Sequence, residues 1–375
     1  MRIVDLFSGA GGLTFGFYYR LENGNFIRNN DNTFIFANEF DQHAANAFRD
    51  NFPDIPLIEG DIHNLTENMI RQHMGDEPVD LIIGGPPCQS YSTIGRRVYD
   101  DKARLYTEYL RILSIVRPRM FLFENVTGML TMKDENGNLI INEVERRFRN
   151  INENLGYHVQ HKVLDAVDFG VPQHRQRVFI IGIRNDLNIN WEYPTPLDTP
   201  HITIQEAISD FPVLASGERA EEYTMEPQNE YQRLMRGNCN RITCHYVGVH
   251  NDKIQTVIEN VIPGEGRNYI NQLVAEGKLD KKYYLTSGYS NTYGRLVADR
   301  PCTTITNNMC TPSGLRCIHY TQHRTLSPRE GARIQSFPDW FNFSGYLKQV
   351  TTQIGNAVPP LLAIRLAESI QAILD

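Results

Sequence analysis

The chain is 375 residues long and holds no apolar run near the ~20 residues that a membrane-spanning helix needs, so nothing in it predicts a helical membrane protein. Its first residues, Met1-Arg2-Ile3-Val4-Asp5-Leu6-Phe7, lack the long apolar segment and small-residue cleavage site of a secretory signal. Cysteine is scarce, six in all, too few to staple a chain of this size. Free thiols in a reducing cytoplasm are the expectation. Excess positive charge is missing as well: the net charge is −7, which argues against a uniformly basic nucleic-acid binder. One block departs from that average, since residues 281–335 carry eight Lys or Arg against Asp299 and Glu330. Such a block is either an anion-binding face or an ordinary solvated surface. Two further absences matter. The turn after the first strand lacks the third glycine of G-x-G-x-x-G, with Thr14 in its place, which weakens a dinucleotide-binding reading. Cys239, Cys244 and His245 lack the spacing of any common zinc site.

What is present is 41% hydrophobic and 22% charged, the composition of a globular protein of two or three domains. The amino-terminal half alternates short apolar runs with helical patterns, which predicts an α/β fold with a mostly parallel, doubly wound sheet. Strands are expected at residues 2–7, 33–38, 56–58, 79–83, 120–123, 157–164 and within 171–182. Helices are expected at 13–20, 42–51, 105–116 and 139–154, the last with Asn138 as its N-cap.

The ends of these strands carry the chemistry, because ligands of open α/β sheets bind at the carboxyl edge. Asp5 ends the first strand before Ser8-Gly9-Ala10-Gly11-Gly12, Glu39 ends the second, and Gly60-Asp61 ends the third. A carboxylate at the second tip can accept both hydroxyls of a ribose. Asp61 can accept from an adenine amino group, and Asp5 can face a cationic amine. An amine, a ribose and an adenine without phosphate describe S-adenosyl-L-methionine; the alternative is that these acids are merely solvated. The fourth strand runs into Gly84-Gly85-Pro86-Pro87-Cys88-Gln89-Ser90. The prolines stiffen the turn and hold the Cys88 thiol, which is either a nucleophile or a buried structural cysteine. The loop 91–104 holds Arg96, Arg97, Lys102 and Arg104 without apolar periodicity and can close over a polyanion. Glu124 stands at the tip of the fifth strand, where apolar walls would raise its pKa until it can donate a proton. Arg175 and Arg177 alternate into a later strand, and bind either substrate or a carboxylate such as Glu124.

Composition changes after Ile183. Residues 191–200 hold three prolines and read as a linker, and residues 201–320 read as a second, smaller domain of short irregular elements. Regular order returns with Ser327 as N-cap, Pro328 at N1 and Glu330 at N3 of a helix. A helix at 361–374 is expected to return to the first sheet.

Six blocks in this order resemble the DNA (cytosine-5) methyltransferase family. They are Asp5-Leu6-Phe7-Ser8-Gly9-Ala10-Gly11-Gly12, Gly85-Pro86-Pro87-Cys88-Gln89-Ser90, Glu124-Asn125-Val126, Gln173-His174-Arg175-Gln176-Arg177, Thr325-Leu326-Ser327-Pro328-Arg329-Glu330 and Gln353-Ile354-Gly355-Asn356-Ala357-Val358. The resemblance implies a methyltransferase-type sheet at 1–190, a target-recognition domain at 191–323, and a return to the catalytic domain at 324–375. It implies that Cys88 adds to C6 of a flipped-out cytosine in a specific double-stranded DNA sequence. Glu124 would contact ring N3 and the amino group, while Arg177, or Arg175, would brace the carbonyl or the thiol. C5 would then take the methyl of S-adenosyl-L-methionine, leaving S-adenosyl-L-homocysteine. The implied cofactor set is Asp5, Phe7, Ser8, Gly9, Ala10, Gly11, Gly12, Glu39, Asp61, Ile62, Pro86, Leu105, Asn356 and Ala357, with no metal. Thr304-Ile305 resembles a short motif of the family's recognition domain; Arg295, Asn307, Asn308 and Arg316 could reach bases, phosphate or neither. A bacterial, cytoplasmic, nucleoid-associated monomer working beside a restriction endonuclease is the family-level expectation. The competing readings are a transfer-RNA methyltransferase with the same catalytic set, a silent DNA-binding relative and an NAD-type oxidoreductase.

Overall fold

The computed structural model describes residues 1–87, 105–134, 136–151 and 156–374. Its centre is a sheet of seven strands among the described residues: β1 (Arg2–Leu6), β4 (Thr33–Glu39), β5 (Leu57–Glu59), β6 (Leu81–Gly84), β7 (Met120–Val126), β8 (Tyr157–Asp165) and β9 (Gln176–Arg184). The order is β5-β4-β1-β6-β7-β9-β8, with the first five parallel and β9 antiparallel to both neighbours. Reversing the chain at β9 brings its first residues to the edge where β6 and β7 end, and Arg177 pairs with Val126 across the ladder.

Both faces of the sheet are covered, which is why its strands read as continuous apolar runs rather than alternating ones. Ile3, Ile83, Leu122 and Ile181 point into one core with α1 (Gly12–Tyr18), α2 (Gln42–Asn51) and α12 (Pro360–Leu374). Their neighbours Val4, Ile82, Phe121 and Ile180 point into the other, with α3 (Glu67–Met74), α4 (Tyr106–Val116) and α5 (Ile140–Arg149). Each such fully buried side chain contributes ~1.5–3 kcal/mol of transfer free energy. The carboxyl-terminal helix does return to the first sheet, packing along α1.

Two local expectations are corrected. The first helix stops at Tyr18 and the chain enters a hairpin of β2 (Tyr19–Glu22) and β3 (Asn25–Arg28). Its turn, Asn23-Gly24, has φ of 50° and 72°, the mirror-image turn that matches strand twist and favours Asn-Gly. The helix expected to reach residue 154 ends at Arg149, and Asn138 is not its cap: its amide donates to Asp134 Oδ2 at 3.3 Å.

After β9 the expected linker is fastened to the sheet. Trp191 is buried, and Tyr193 Oη donates to the Gln160 and Phe179 carbonyls at 3.0 and 2.8 Å. Four short helices follow, α6 (Ile204–Ile208), α7 (Glu230–Arg236), α8 (Asp252–Asn260) and α9 (Arg267–Ala275). Val257, Ile258, Val261, Ile270, Leu285, Cys317 and Ile318 form a small core of their own, whereas Tyr231, Met235, Leu296, Cys302 and Ile305 join the large one. The excursion closes on itself: Ile204 N donates to Arg300 O at 2.8 Å and Gln205 N to Ala298 O at 3.1 Å. Then come α10 (Pro328–Ile334), with the expected capping box of Ser327 and Glu330, and α11 (Leu347–Asn356).

Half of the basic block is internal rather than on a face. Arg295, Arg324, Arg329 and Arg333 are all buried. Arg295 donates to the carbonyls of Ile258, Val261, His319 and Gln322 at 2.6–2.9 Å, which removes it from the candidate base contacts. Arg324 makes a two-point pair with Glu330 at 2.6 and 2.7 Å, and Arg333 joins Asp210 and Asp339. Lys281, Lys282 and Arg300 remain exposed, as do Asn307 and Asn308.

Candidate active site

The sheet gathers the predicted residues along the carboxyl ends of β1, β4, β6 and β7. Leu6 is in register with both Asn38 of β4 and Gly84 of β6, so three strand ends stand side by side. The turn that follows β1 is held to β4: Ser8 N donates to Asn38 O at 3.0 Å and Gly9 N to Glu39 Oε2 at 2.7 Å. Phe7 sits at φ 58°, a left-handed conformation uncommon for an aromatic residue, and is half-buried. Glu39 Oε1 also accepts from Asp41 N at 2.8 Å, yet burial keeps the carboxyl's pKa above its ordinary value.

Asp5 lies beneath this turn. It is buried, Thr14 donates its hydroxyl to Oδ2, and Oδ1 has no hydrogen-bond partner among the described residues. Burial, opposed by the Thr14 hydrogen bond and reinforced by Glu39, pushes its pKa up to about 8. The residue that spoils the glycine fingerprint is therefore the hydrogen-bond donor to this carboxyl. At Gly12 an added Cβ would fall 2.5 Å from Val358 O, so the start of α1 rests directly on the Ala357-Val358 turn. That contact brings Ala357 and exposed Asn356 to the glycine turn from the far end of the chain.

The third tip is more open. Asp61 is exposed and accepts from His63 N at 3.0 Å, with His63 Nδ1 at 2.6 Å; these bonds lower its pKa. Ile62 is buried beneath it. Arg111 of α4 donates to the carbonyls of Ile62 and Leu65 at 3.0 and 2.9 Å, tying this tip to the helix that Leu105 precedes.

The fourth and fifth tips meet closely. A Cβ on Gly85 would lie 2.8 Å from Glu124 Oε2, a space that only glycine leaves free. Asn125 Nδ2 donates to Pro86 O at 3.4 Å, holding the proline turn against β7. Cys88 and the loop to Arg104 lie outside the described residues. Glu124 is buried, with Arg177 Nε 3.1 Å from Oε1. Burial raises its pKa, and Arg177 and then Arg175 counter it without cancelling it. A carboxyl whose pKa is raised by burial is a better proton donor to a bound base than a solvated one.

The structure parts the two arginines that the sequence pairs. Arg177 is in β9 and against Glu124; Arg175 precedes the strand, is buried, and donates to Ile305 O at 3.0 Å and Gly355 O at 2.8 Å. Phe40 escaped the sequence reading. It follows Glu39 at the tip of β4 with 73% of its surface exposed, and an aromatic directly after a strand-end acid was the available signal.

These residues suit the predicted cofactor. A buried carboxyl oxygen without a partner among the described residues, beside a glycine turn, can accept from an ammonium group, whose charge would favour release of the carboxyl proton. A Cβ at Gly9 would meet nothing within 4 Å among the described residues. Glu39 retains unfilled lone pairs for hydroxyls.

The profile of the family described as C-5 cytosine-specific DNA methylase matches residues 1–372. Among curated relatives, the Type II methyltransferase M.DdeI of Desulfomicrobium norvegicum is 34% identical, over 99% of this chain and 88% of its own. M1.HphI of Haemophilus parahaemolyticus, another Type II methyltransferase, is 33% identical over 99% and 86%. A solved structure assigned as a prophage-encoded DNA modification methyltransferase from E. coli superposes with a TM-score of 0.75, 26% identity, and coverage of 100% of this chain and 99% of the other. S. pombe Dnmt2 methyltransferase, at TM-score 0.54 and 16% identity, shares the fold.

Proposed function

The chain belongs to the C-5 cytosine-specific DNA methylase family and is a DNA cytosine-5 methyltransferase, and from that premise we propose how its residues divide the work. The family and the fold imply S-adenosyl-L-methionine as the methyl source. The convergence of Gly85, Glu124 and Arg177 beside the glycine turn carries the assignment.

Cys88, bonded to the clamped proline turn, supplies the thiolate that adds to C6 of cytosine. Glu124, whose burial holds its pKa up, gives a proton to ring N3 as negative charge develops there. Arg177, held against Glu124, braces the base carbonyl. The C6 adduct makes C5 nucleophilic, and C5 takes the methyl group. Water then removes the C5 proton, the C6–sulfur bond breaks, and Cys88 leaves as thiolate.

On the cofactor side, Asp5 lies where it can meet the positive end, Glu39 binds the ribose, and Asp61 the adenine amino group. Phe7, Ser8, Gly9, Ala10, Gly11, Gly12, Ile62, Pro86, Leu105, Asn356 and Ala357 line the rest. Phe40 is exposed where a ring can stack on the adenine. Residues 191–323 read a specific duplex sequence, with Asn307, Asn308 and Arg316 as candidate contacts, and the target base is flipped out to reach Glu124. The relatives' Type II names support pairing with a restriction endonuclease; a bacterial cytoplasm, a monomer and action on the nucleoid complete the proposal.

Incubation with methyl-labelled cofactor and either unmodified plasmid DNA or transfer RNA tests the reading, label appearing in DNA only. Label confined to RNA would sink it. Cys88→Ser is expected to abolish turnover while cofactor binding, followed by equilibrium dialysis, persists; residual turnover would refute the covalent route.

A further inference from the structure

Gln173, Arg175 and Gln335 close a ring of hydrogen bonds that is separate from the groups placed on the base. Gln173 Oε1 accepts from Ile305 N at 2.9 Å, and its Nε2 donates to Gln335 Oε1 at 2.7 Å and Ile334 O at 3.1 Å. Gln335 Nε2 donates to Ile354 O at 2.7 Å. Arg175 completes the ring by joining Ile305 O to Gly355 O, at 3.0 and 2.8 Å. Gln173, Arg175 and Gln335 are at most 1% exposed, so these bonds form away from water and losing one leaves a buried polar group unmet. Burial and nearby Arg177 both work against the charge on Arg175, while Glu124 and the two carbonyls support it.

The segments so joined are the ones that must act together. Ile305 belongs to the recognition segment, which is also fixed by Thr304 Oγ1 donating to His174 O at 2.7 Å. Gly355 is followed by Asn356 and Ala357, placed on the cofactor above. The two segments touch without slack: a Cβ at Gly355 would fall 2.4 Å from Asn307 N. Arg175 itself is two residues from Arg177. A shift of the recognition segment must therefore move the cofactor turn or break a buried bond.

We propose that Arg175, with Gln173 and Gln335, is a positioning clasp that couples DNA seating to cofactor seating, and that Arg175 does not touch the cytosine. This rests on the functional reading above. By reciprocity, DNA then tightens cofactor binding by the factor by which cofactor tightens DNA binding.

The test measures the affinity for S-adenosyl-L-homocysteine with and without plasmid DNA that the wild type methylates. The wild type is expected to bind the cofactor product ~5-fold or more tighter with DNA. Arg175→Lys keeps a charge but cannot span both carbonyls. It should leave affinity without DNA within about threefold and bring the DNA-induced gain below about twofold. Thr304→Val, at the partly exposed end of the clasp, should reduce the gain less and serves if Arg175→Lys does not fold. A full gain in the folded variants overturns the clasp, as does a wild type that methylates DNA without any gain. A wild type that transfers no methyl group to DNA overturns the functional reading and the clasp with it.

Discussion

Two regions of this molecule bury carboxyl groups, and they treat them in opposite ways. Around α10, Glu330 is pushed up by burial, but the two-point pair with Arg324 overcomes that and holds it below the usual carboxylate range. Arg333 lies between Asp210 and Asp339 in the same region, where Asp210 keeps one oxygen unmet among the described residues and burial raises its pKa despite the pair. At the sheet edge, Asp5 has one hydroxyl donor and Glu124 one close arginine, and burial prevails in both. The difference lies in the number of donors rather than in depth. A buried acid given a full set of charged donors becomes permanent internal wiring, whereas one left short of donors keeps a proton that it can trade with a ligand.

Removing the cation from the saturated region should have the largest effect. Arg333→Met strands two buried aspartates, and the expected loss is ~3–5 kcal/mol of stability in urea unfolding. A loss below about 1 kcal/mol would mean that the pairs are not structural. Glu124→Gln should do the reverse, lowering methyl transfer in a single turnover by ~10²–10⁴-fold while the thermal midpoint stays level. A variant with a lowered thermal midpoint and an unchanged single-turnover rate would erase the contrast.

Asp5→Asn sharpens it through pH. The folded pKa of about 8 exceeds the ordinary value of 3.8, so the folded chain keeps a proton that the unfolded chain releases. The wild type is thus expected to lose stability as pH rises from about 4 to about 8, by a few kcal/mol at most. Asp5→Asn should flatten that decline and bind the cofactor more weakly, read by unfolding across pH and by cofactor titration. The smallest effect belongs to Ser327→Ala, which removes one half of a capping box: ~1 kcal/mol of stability, with turnover unaffected.

Much of the sheet could be read directly because both its faces are buried, so its strands stand out as apolar runs ended by Gly, Asp or Glu. The capping box at Ser327 was legible for the same local reason. The hairpin after α1 was signalled by Asn23-Gly24, but the apolar helical pattern leading up to it dominated. The site's acids were legible by position alone: Glu39, Asp61 and Glu124 are strand tips. What sequence could not convey is partnership across long separations. Nothing near residue 175 says that its guanidinium will meet carbonyls at 305 and 355, and alternation alone put Arg175 on the same face as Arg177. Likewise, a run of cations between 281 and 335 looks alike whether it faces solvent or, as Arg295 and Arg324 do, fills the interior.

The paired backbone at Ile204-Gln205 and Ala298-Arg300 bears on where such a protein can take up extra chain. Because the two ends of the excursion are already tied together, the intervening chain is a closed loop whose entropy grows only with the logarithm of its length. Doubling it would cost ~0.6 kcal/mol. Lengthening an exposed turn within that loop is therefore thermodynamically cheap, whereas Tyr231 and Met235, which the loop contributes to the large core, are not freely replaced.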